Sequence, residues 1–589
     1  MRLFGFLILV SLGLFACQST STERKPASPN VLFILSDDQG YGDLRIHGND
    51  SIDTPILDQL ASEGTRLDQF YVSPVCAPTR AALMTGRHHL RTGTFWVTRG
   101  AENMRTEELT LAEALQANGY RTGCFGKWHN GAHYPYNPLG QGFERFVGFT
   151  SGHWSNYFNT TLISDTSTLK TEGYITDVLT DQAIGFIEEH QQEPFFCYIP
   201  YNVPHSPFQV PDRYFDKYKA RGLTNKNASV YGMVENMDEN IGRLLNKLDE
   251  LGLSDNTIVV FITDNGPNGS RYNGNMRGWK GKVYEGGVRV PCIIRWPGKV
   301  RGQTLRHLTD HTDILPTLLG LTGIEKPEGL PLDGLDLSNW LKGSPKTFPE
   351  RTLYSHQNQG DSPLTYPGAI RTVQYHFIMR GEDRVELYDM IQDRSETTDI
   401  SAANPEVIAR FKQQYLDWYA EVTADGPTDP AIPIGYREAG KVELPAHEAI
   451  LSRQLEYKRN PNGWAHDWIV SWDDTDANAS WQVDAVEDGS YAFSLLYTCS
   501  AERLGSKLAL QVGEQSLQEE ITEAFTPTIS PNYDRVKGVR AEALEQTWAE
   551  MPLGRLDLSA GKHAVVLKAA SIAGDEVGEI KGLIVRRID

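Results

Sequence analysis

The stretch Asn30-Val31-Leu32-Phe33-Ile34-Leu35, followed at once by Ser36-Asp37-Asp38, decides how this chain folds. A short continuous apolar run of this kind suits a strand buried on both faces of a parallel sheet. Similar runs recur at 194–199, 257–262 and 291–294. Helical patterns lie between them. Residues 109–118 (LTLAEALQAN) end at Gly119, a natural C-cap, and 234–251 carries apolar residues at helical spacing up to Gly252. Buried strands alternating with helices predict an α/β fold with a mostly parallel central sheet flanked by helices, over 30–350.

Further along, the pattern changes. Residues 369–388 read as a short antiparallel meander and 405–419 as a helix, which together predict a smaller α+β subdomain over 351–440. From 445 to 589 short strands such as 490–497 and 564–569 are separated by turn signals, Glu487-Asp488-Gly489 and Ala560-Gly561-Lys562. That spacing predicts a C-terminal β-sandwich. At the other end, Arg2 and the apolar run 3–14 read as an export signal, too short to span a bilayer as a mature helix. Leu14-Phe15-Ala16-Cys17 reads as a lipobox, with Cys17 as the lipid-bearing residue. Residues 1–17 are then a lipoprotein-type signal region and polar 18–29 a tether. These features predict an exported protein, in the periplasm or on the outer membrane of a Gram-negative bacterium, with membrane contact only through the lipid.

A length of 589 residues exceeds one ordinary core, in keeping with several domains. The formal charge of −20 argues against nucleic-acid binding, which needs clusters of Lys and Arg against phosphates. It leaves room for an anionic substrate, which needs only a local cationic pocket. Cys124, Cys197 and Cys292 lie in apolar runs with no metal-ligand spacing and read as small buried hydrophobes.

Two acidic pairs stand where strands end. Asp37-Asp38 closes the first run, and Asp264-Asn265-Gly266 closes 257–262. In open α/β sheets, ligands gather at the carboxyl ends of strands. Either pair alone reads as a helix N-cap or a solvated loop. Both together, in equivalent places, point to one site of oxygen donors, which suits Ca²⁺ better than Zn²⁺.

Cys76-Ala77-Pro78-Thr79-Arg80 opens the run CAPTRAALMTGRHHLRTG and has the form Cys-x-Pro-x-Arg. Phe125-Gly126-Lys127-Trp128-His129, Tyr201-Asn202-Val203-Pro204-His205 and Lys280-Gly281-Lys282-Val283-Tyr284-Glu285-Gly286-Gly287-Val288-Arg289-Val290-Pro291 follow in order. His311-Thr312-Asp313-Ile314-Leu315-Pro316-Thr317 and Glu386-Leu387-Tyr388-Asp389 come after them. With NVLFILSDDQGYGD and TIVVFITDNGPNG, these segments make the chain resemble the formylglycine-dependent sulfatases. Those are arylsulfatase-like members of the alkaline phosphatase superfamily, and the chain resembles their bacterial polysaccharide-type members.

The resemblance implies an alkaline-phosphatase-like fold and a sulfuric ester hydrolase. It implies that Cys76 is oxidised to Cα-formylglycine (3-oxoalanine) by a formylglycine-generating or sulfatase-maturating enzyme. It also implies that Asp37, Asp38, Asp264, Asn265 and the modified Cys76 surround one Ca²⁺. The hydrated aldehyde, a gem-diol, would attack sulfur and carry a sulfated-enzyme intermediate. Lys127 and Lys280 would clamp sulfate oxygens, since cations aimed at developing charge stabilise a transition state. Lys282, offset by two from the family position, is the weaker candidate. His205, with Lys280 beside it, would protonate the leaving oxygen; His129 would take the proton that releases sulfate; Arg80 would hold the nucleophile.

The implied substrate is a sulfated polysaccharide or oligosaccharide, algal type favoured. His88, His89, Arg91, Trp96, Arg99, His133, His153, Trp154, Tyr157, Arg271 and Tyr272 are candidates to choose it. Residues 445–589 loosely resemble carbohydrate-binding modules, with Trp464, Trp468 and Trp472 either a sugar platform or core. Two rivals stand beside this reading: a phosphonate or phosphate ester hydrolase of the same fold, and a non-catalytic glycan-binding lipoprotein in which Cys76 stays a thiol.

Overall fold

The structure, a computed structural model, describes residues 28–588 apart from 327, 328, 330, 361, 362, 460–462, 465 and 539–541. The export signal, Cys17 and nearly all of the tether therefore lie outside the described residues. Among the described residues, no helix is long and apolar enough to cross a membrane.

An eleven-stranded sheet forms the centre. In chain order its strands are β1 (Asn30–Ser36), β2 (Thr65–Tyr71), β3 (Arg121–Lys127), β4 (Arg145–Phe149), β5 (Thr161–Ser164), β6 (Ser167–Lys170), β7 (Phe195–Pro200), β8 (Thr257–Thr263), β9 (Arg289–Val290), β10 (Cys292–Arg295) and β11 (Gln303–Asp310). They lie side by side as β11-β2-β10-β8-β1-β7-β3-β4-β5-β6, with β9 on β2. β1 is central, parallel to β7 on one side and to β8 on the other. Its side chains alternate between two cores, as a strand must. Leu32 and Ile34 enter one core with α1 (Pro55–Glu63) and the long helix Asn225–Glu250. Val31, Phe33 and Leu35 enter the other, with α2 (Cys76–Thr85) and the helices Leu111–Gln116 and Ile314–Thr322. The run is apolar throughout because both faces are covered.

Three details depart from the sequence reading. β10 runs antiparallel to β8. After β8 the chain stays at that strand's carboxyl end through residue 288, then re-enters the sheet from the same edge without a crossover helix, so it must run the other way. The long helix begins at Asn225, well before 234, because the Thr224 hydroxyl accepts the Asn227 N–H and caps it there. The helix expected from 109 starts at Leu111, after a Thr110–Glu113 capping box.

Residues 353–389 form a four-stranded antiparallel sheet covered by the helix Pro405–Val422, with Phe377, Leu387, Phe411 and Tyr415 between them. Two six-stranded sheets follow and share one core, which holds Trp468, Trp472 and Trp481. Ile432–Ile434 pairs in parallel with Asn478–Ala485, so this β region takes in residues upstream of 445.

Candidate active site

The carboxyl ends of β1, β2, β3, β7 and β8 converge on one edge, where a parallel sheet collects its ligands. β1 delivers Asp37 and Asp38, β3 ends in Lys127 and leads to His129, β7 leads to His205, and β8 delivers Asp264 and Asn265. The segment after β2 leads into α2, whose first residue is Cys76. Pro78 falls in the first turn of α2, where a backbone N–H has no helical partner to lose. All ten residues of α2 are buried, and Cys76 is 3% exposed. Asp38 and His129 adopt φ of 67° and 66°, the left-handed region that non-glycine residues rarely take and that collects at functional sites.

Ion pairs bind these pieces together. Arg80 donates from Nε and Nη2 to Asp264 Oδ2 at 3.2 and 2.8 Å and from Nη1 to the Lys127 carbonyl at 2.6 Å. Lys127 Nζ lies 2.7 Å from Asp37 Oδ2. Lys280 Nζ lies 2.6 Å from Asp38 Oδ1 and His205 Nε2 3.7 Å from Asp38 Oδ2. Asn265 Nδ2 donates to Asp38 Oδ1 at 2.9 Å. These contacts join Asp37, Asp38, Arg80, Lys127, His205, Asp264, Asn265 and Lys280 in one constellation. Lys282 is exposed and outside it, so Lys280 is the lysine of the pair that reaches the site.

Donor chemistry fits a hard cation. Asp37, Cys76 and Asp264 offer ligand atoms within 4.8 Å of one another. Asp37 Oδ1 and Asn265 Oδ1 are buried with no hydrogen bond, although the remaining atoms of both groups are engaged. Burial and the neighbouring Asp37 charge push the Asp264 carboxyl up to about 6, a crowding that a bound cation relieves. Oxygen-rich donors of this kind hold Ca²⁺ or a similar ion.

Burial also sets the protonation of the other groups. It raises the Cys76 thiol above its ordinary value despite Lys127 and Lys280, so the unmodified side chain is a protonated thiol and a weak nucleophile. It lowers His129 well below the ordinary imidazole, with Lys127 adding to the effect. The His129 Nε2–H donates to the Val97 carbonyl at 2.9 Å, which leaves Nδ1, buried and without a partner, as the lone-pair nitrogen. His205 is lowered to about 3 by burial and Lys280, and its Nδ1–H donates to the Ser206 carbonyl at 2.6 Å. Burial opposes the charge of Lys280, but the anionic surroundings, Asp38 foremost with Cys76, Asp37 and Asp264, together outweigh it and keep the ammonium protonated.

Among the expected specificity residues, several serve the framework instead. Arg271 is buried, grips Asp43 and donates to the Asp38 carbonyl at 2.9 Å. The Tyr157 hydroxyl donates to the His205 and Ser206 carbonyls and holds that loop. His88 and His89 are buried beyond the far end of α2, whose ten residues set them about 15 Å from Cys76. Arg91 pairs with Asp333 and Glu421. Trp154 donates to Thr160, and the exposed Tyr272 hydroxyl donates to the His47 carbonyl. His133 meets Glu448. Trp468 and Trp472 fill the sandwich core. By contrast, Trp96 and Trp464 pack against Val75, Cys76 and Val97, and the His153 ring lies 4.9 Å from that of His205. Two residues at the site were not singled out by sequence. Asn268 donates to Asp38 Oδ2 at 3.1 Å, and its place three residues after Asn265 was a usable signal. Glu542 accepts from His153 Nδ1 at 2.6 Å and had none.

The chain is similar to several known proteins. Residues 29–324 match the sulfatase family model, and 277–419 match the model of the N-sulphoglucosamine sulphohydrolase C-terminal region. The chain is 31% identical to human arylsulfatase A (Homo sapiens) over 487 residues, covering 71% of this chain and 92% of that one. It is 35% identical to the N-acetylgalactosamine-6-sulfatase of Mus musculus over 376 residues, 57% of this chain and 70% of that one. Among solved structures, Ps i-CgsB in complex with k-i-k-neocarrahexaose superposes with a TM-score of 0.63 at 29% identity, covering 68% of this chain and 95% of that one.

Proposed function

This chain belongs to the sulfatase family and is a sulfuric ester hydrolase, and from that premise we propose that it desulfates a sulfated glycan of the algal galactan type through a formylglycine formed at Cys76. One observation carries the mechanism: Cys76, three buried carboxylates, Asn265, Arg80, two lysines and two histidines meet at one edge of the sheet. The likeness to a carrageenan-oligosaccharide complex supports the choice of glycan.

Asp37, Asp38, Asp264 and Asn265, with the converted Cys76, would hold one Ca²⁺. When bound, that cation supplies Lewis-acid charge to sulfate oxygens, and the aldehyde hydrate supplies the attacking hydroxyl. The rest falls to the chain's own residues. Lys127 and Lys280 bring positive charge to the sulfate side, in a site dry enough for it to count. Arg80 ties α2 to β3 and β8 and fixes the nucleophile's position. His129 Nδ1 carries a lone pair and is the group that would take the proton whose loss releases sulfate. His205 and Lys280 stand where a proton reaches the leaving oxygen. His205 is neutral in the resting site, so it would take up a proton from solvent as the anionic ester binds, because the ester's charge opposes the effect of Lys280.

Export with a lipid at Cys17 belongs to the same proposal, because a polymer of this kind is met outside the cell. The test is to incubate the purified enzyme with galactose 4-sulfate, galactose 6-sulfate, N-acetylgalactosamine 6-sulfate, carrageenan oligosaccharides and matched phosphonate esters. Sulfate released fastest from the carrageenan oligosaccharides or a sulfated galactose supports the reading. Preference for the phosphonates, or release from none of the sugars, overturns it.

A further inference from the structure

His153 lies inside the catalytic domain, but its imidazole is fixed from outside it. Nδ1 donates at 2.6 Å to Glu542 Oε1, a residue 389 positions later in the β-sandwich region. Glu542 is 1% exposed; burial pushes its carboxyl up, but the hydrogen bond from His153 and the neighbouring imidazoles together hold it below the ordinary range. The same ring packs 4.8 Å from that of Trp464, another sandwich-region residue, and edge-on to His205 at 4.9 Å. Trp464 in turn packs against the cluster around Cys76. A second tie comes from His466, whose Nε2 meets the His153 carbonyl at 3.0 Å and the Ser151 hydroxyl at 3.1 Å.

With Nδ1–H committed to Glu542, His153 has one free polar atom, Nε2, and its side chain is still 14% exposed. That nitrogen can hydrogen-bond a sugar hydroxyl, which both donates and accepts. Next to it stands an indole, the surface on which a pyranose ring packs its C–H face. Both sit on the His205 side of the site, where the leaving group must lie. We propose that His153 and Trp464 form a subsite for the sugar that leaves, with His153 Nε2 hydrogen-bonded to a hydroxyl of that sugar and Glu542 acting as the positioning residue that holds the ring. The inference rests on the glycan reading above and deepens it: the sandwich supplies part of the active-site wall rather than a detached binding module.

The experiment measures kcat/KM for 4-nitrophenyl sulfate and for galactose 6-sulfate, and the inhibition of aryl sulfate turnover by free galactose. Loss of one substrate hydrogen bond is worth about tenfold in affinity. In His153→Ala and Trp464→Ala, the loss on the sugar sulfate should exceed that on the aryl sulfate by about tenfold, and galactose inhibition should weaken by a similar factor. Glu542→Gln, whose amide oxygen still accepts from Nδ1–H, should retain most of the sugar preference, while Glu542→Ala should lose it. Equal losses on both substrates, or unchanged galactose inhibition in His153→Ala, would falsify the subsite and leave the glycan reading standing. A wild-type enzyme that releases sulfate from the aryl ester alone and is not inhibited by galactose overturns both.

Discussion

At the scale of the residue, two atoms dominate: a thiol that burial keeps protonated and an imidazole nitrogen with nothing to bond. Cys76 in its encoded form cannot supply a good nucleophile, so activity should track its conversion. Intact-protein mass spectrometry of active enzyme should show a loss of about 18 Da, and Cys76→Ala should abolish turnover with the fold retained. Full activity from an unmodified thiol would refute the assignment. The two histidines divide by step. His205→Ala should slow sugar sulfates by about 10²–10⁴-fold and an activated aryl sulfate far less, because a nitrophenolate leaves without a proton. His129→Ala should slow both alike, since release of sulfate from the hemiester no longer involves the leaving group. Equal losses for His205→Ala would make it a sulfate-binding group. Much of this was legible in sequence because each residue sits in a short segment with its own spacing. Lys280 and Lys282 were separable by offset, and Lys280 is the one that forms the ion pair with Asp38.

At the scale of the element, the site is a set of strand ends held in register by apolar runs. Asp37→Ala and Asp264→Ala should each remove a cation ligand from a different strand and lose activity, and chelation should lower activity of the wild type. Metal analysis finding zinc at full occupancy, or no divalent ion in active enzyme, would count against the oxygen-donor reading. A less obvious test concerns Gly152. A Cβ placed there would stand 2.1 Å from His129 Nε2, inside any tolerable contact. Gly152→Ala should displace that ring and reproduce the His129→Ala phenotype with little change in Tm; wild-type kinetics would show that the ring has room to move. Elements were readable where periodicity was unbroken, as in β1. They were misjudged where a cap or a return path decided the outcome, as at Thr224 and β10.

At the scale of the whole molecule, sequence reading failed for a plain reason. Glu542 and His153 are 389 positions apart, and no local pattern announces a contact that only the docked sandwich creates. The same docking has a chronological meaning. Cys76 is 3% exposed, wound into the first turn of a wholly buried helix, and roofed in part by Trp464 from a segment synthesised almost four hundred residues later. No second protein can close its own active site around a side chain so enclosed. On the formylglycine reading proposed above, conversion of Cys76 would then belong to the nascent chain, in the interval before the ribosome delivers the C-terminal third. Purified, folded, unmodified protein should stay refractory to a maturating enzyme that readily converts a peptide spanning 70–90. Efficient conversion of the folded form would mean that the roof opens. Otherwise catalytic competence is settled during synthesis, and a chain that folds too soon is permanently inert.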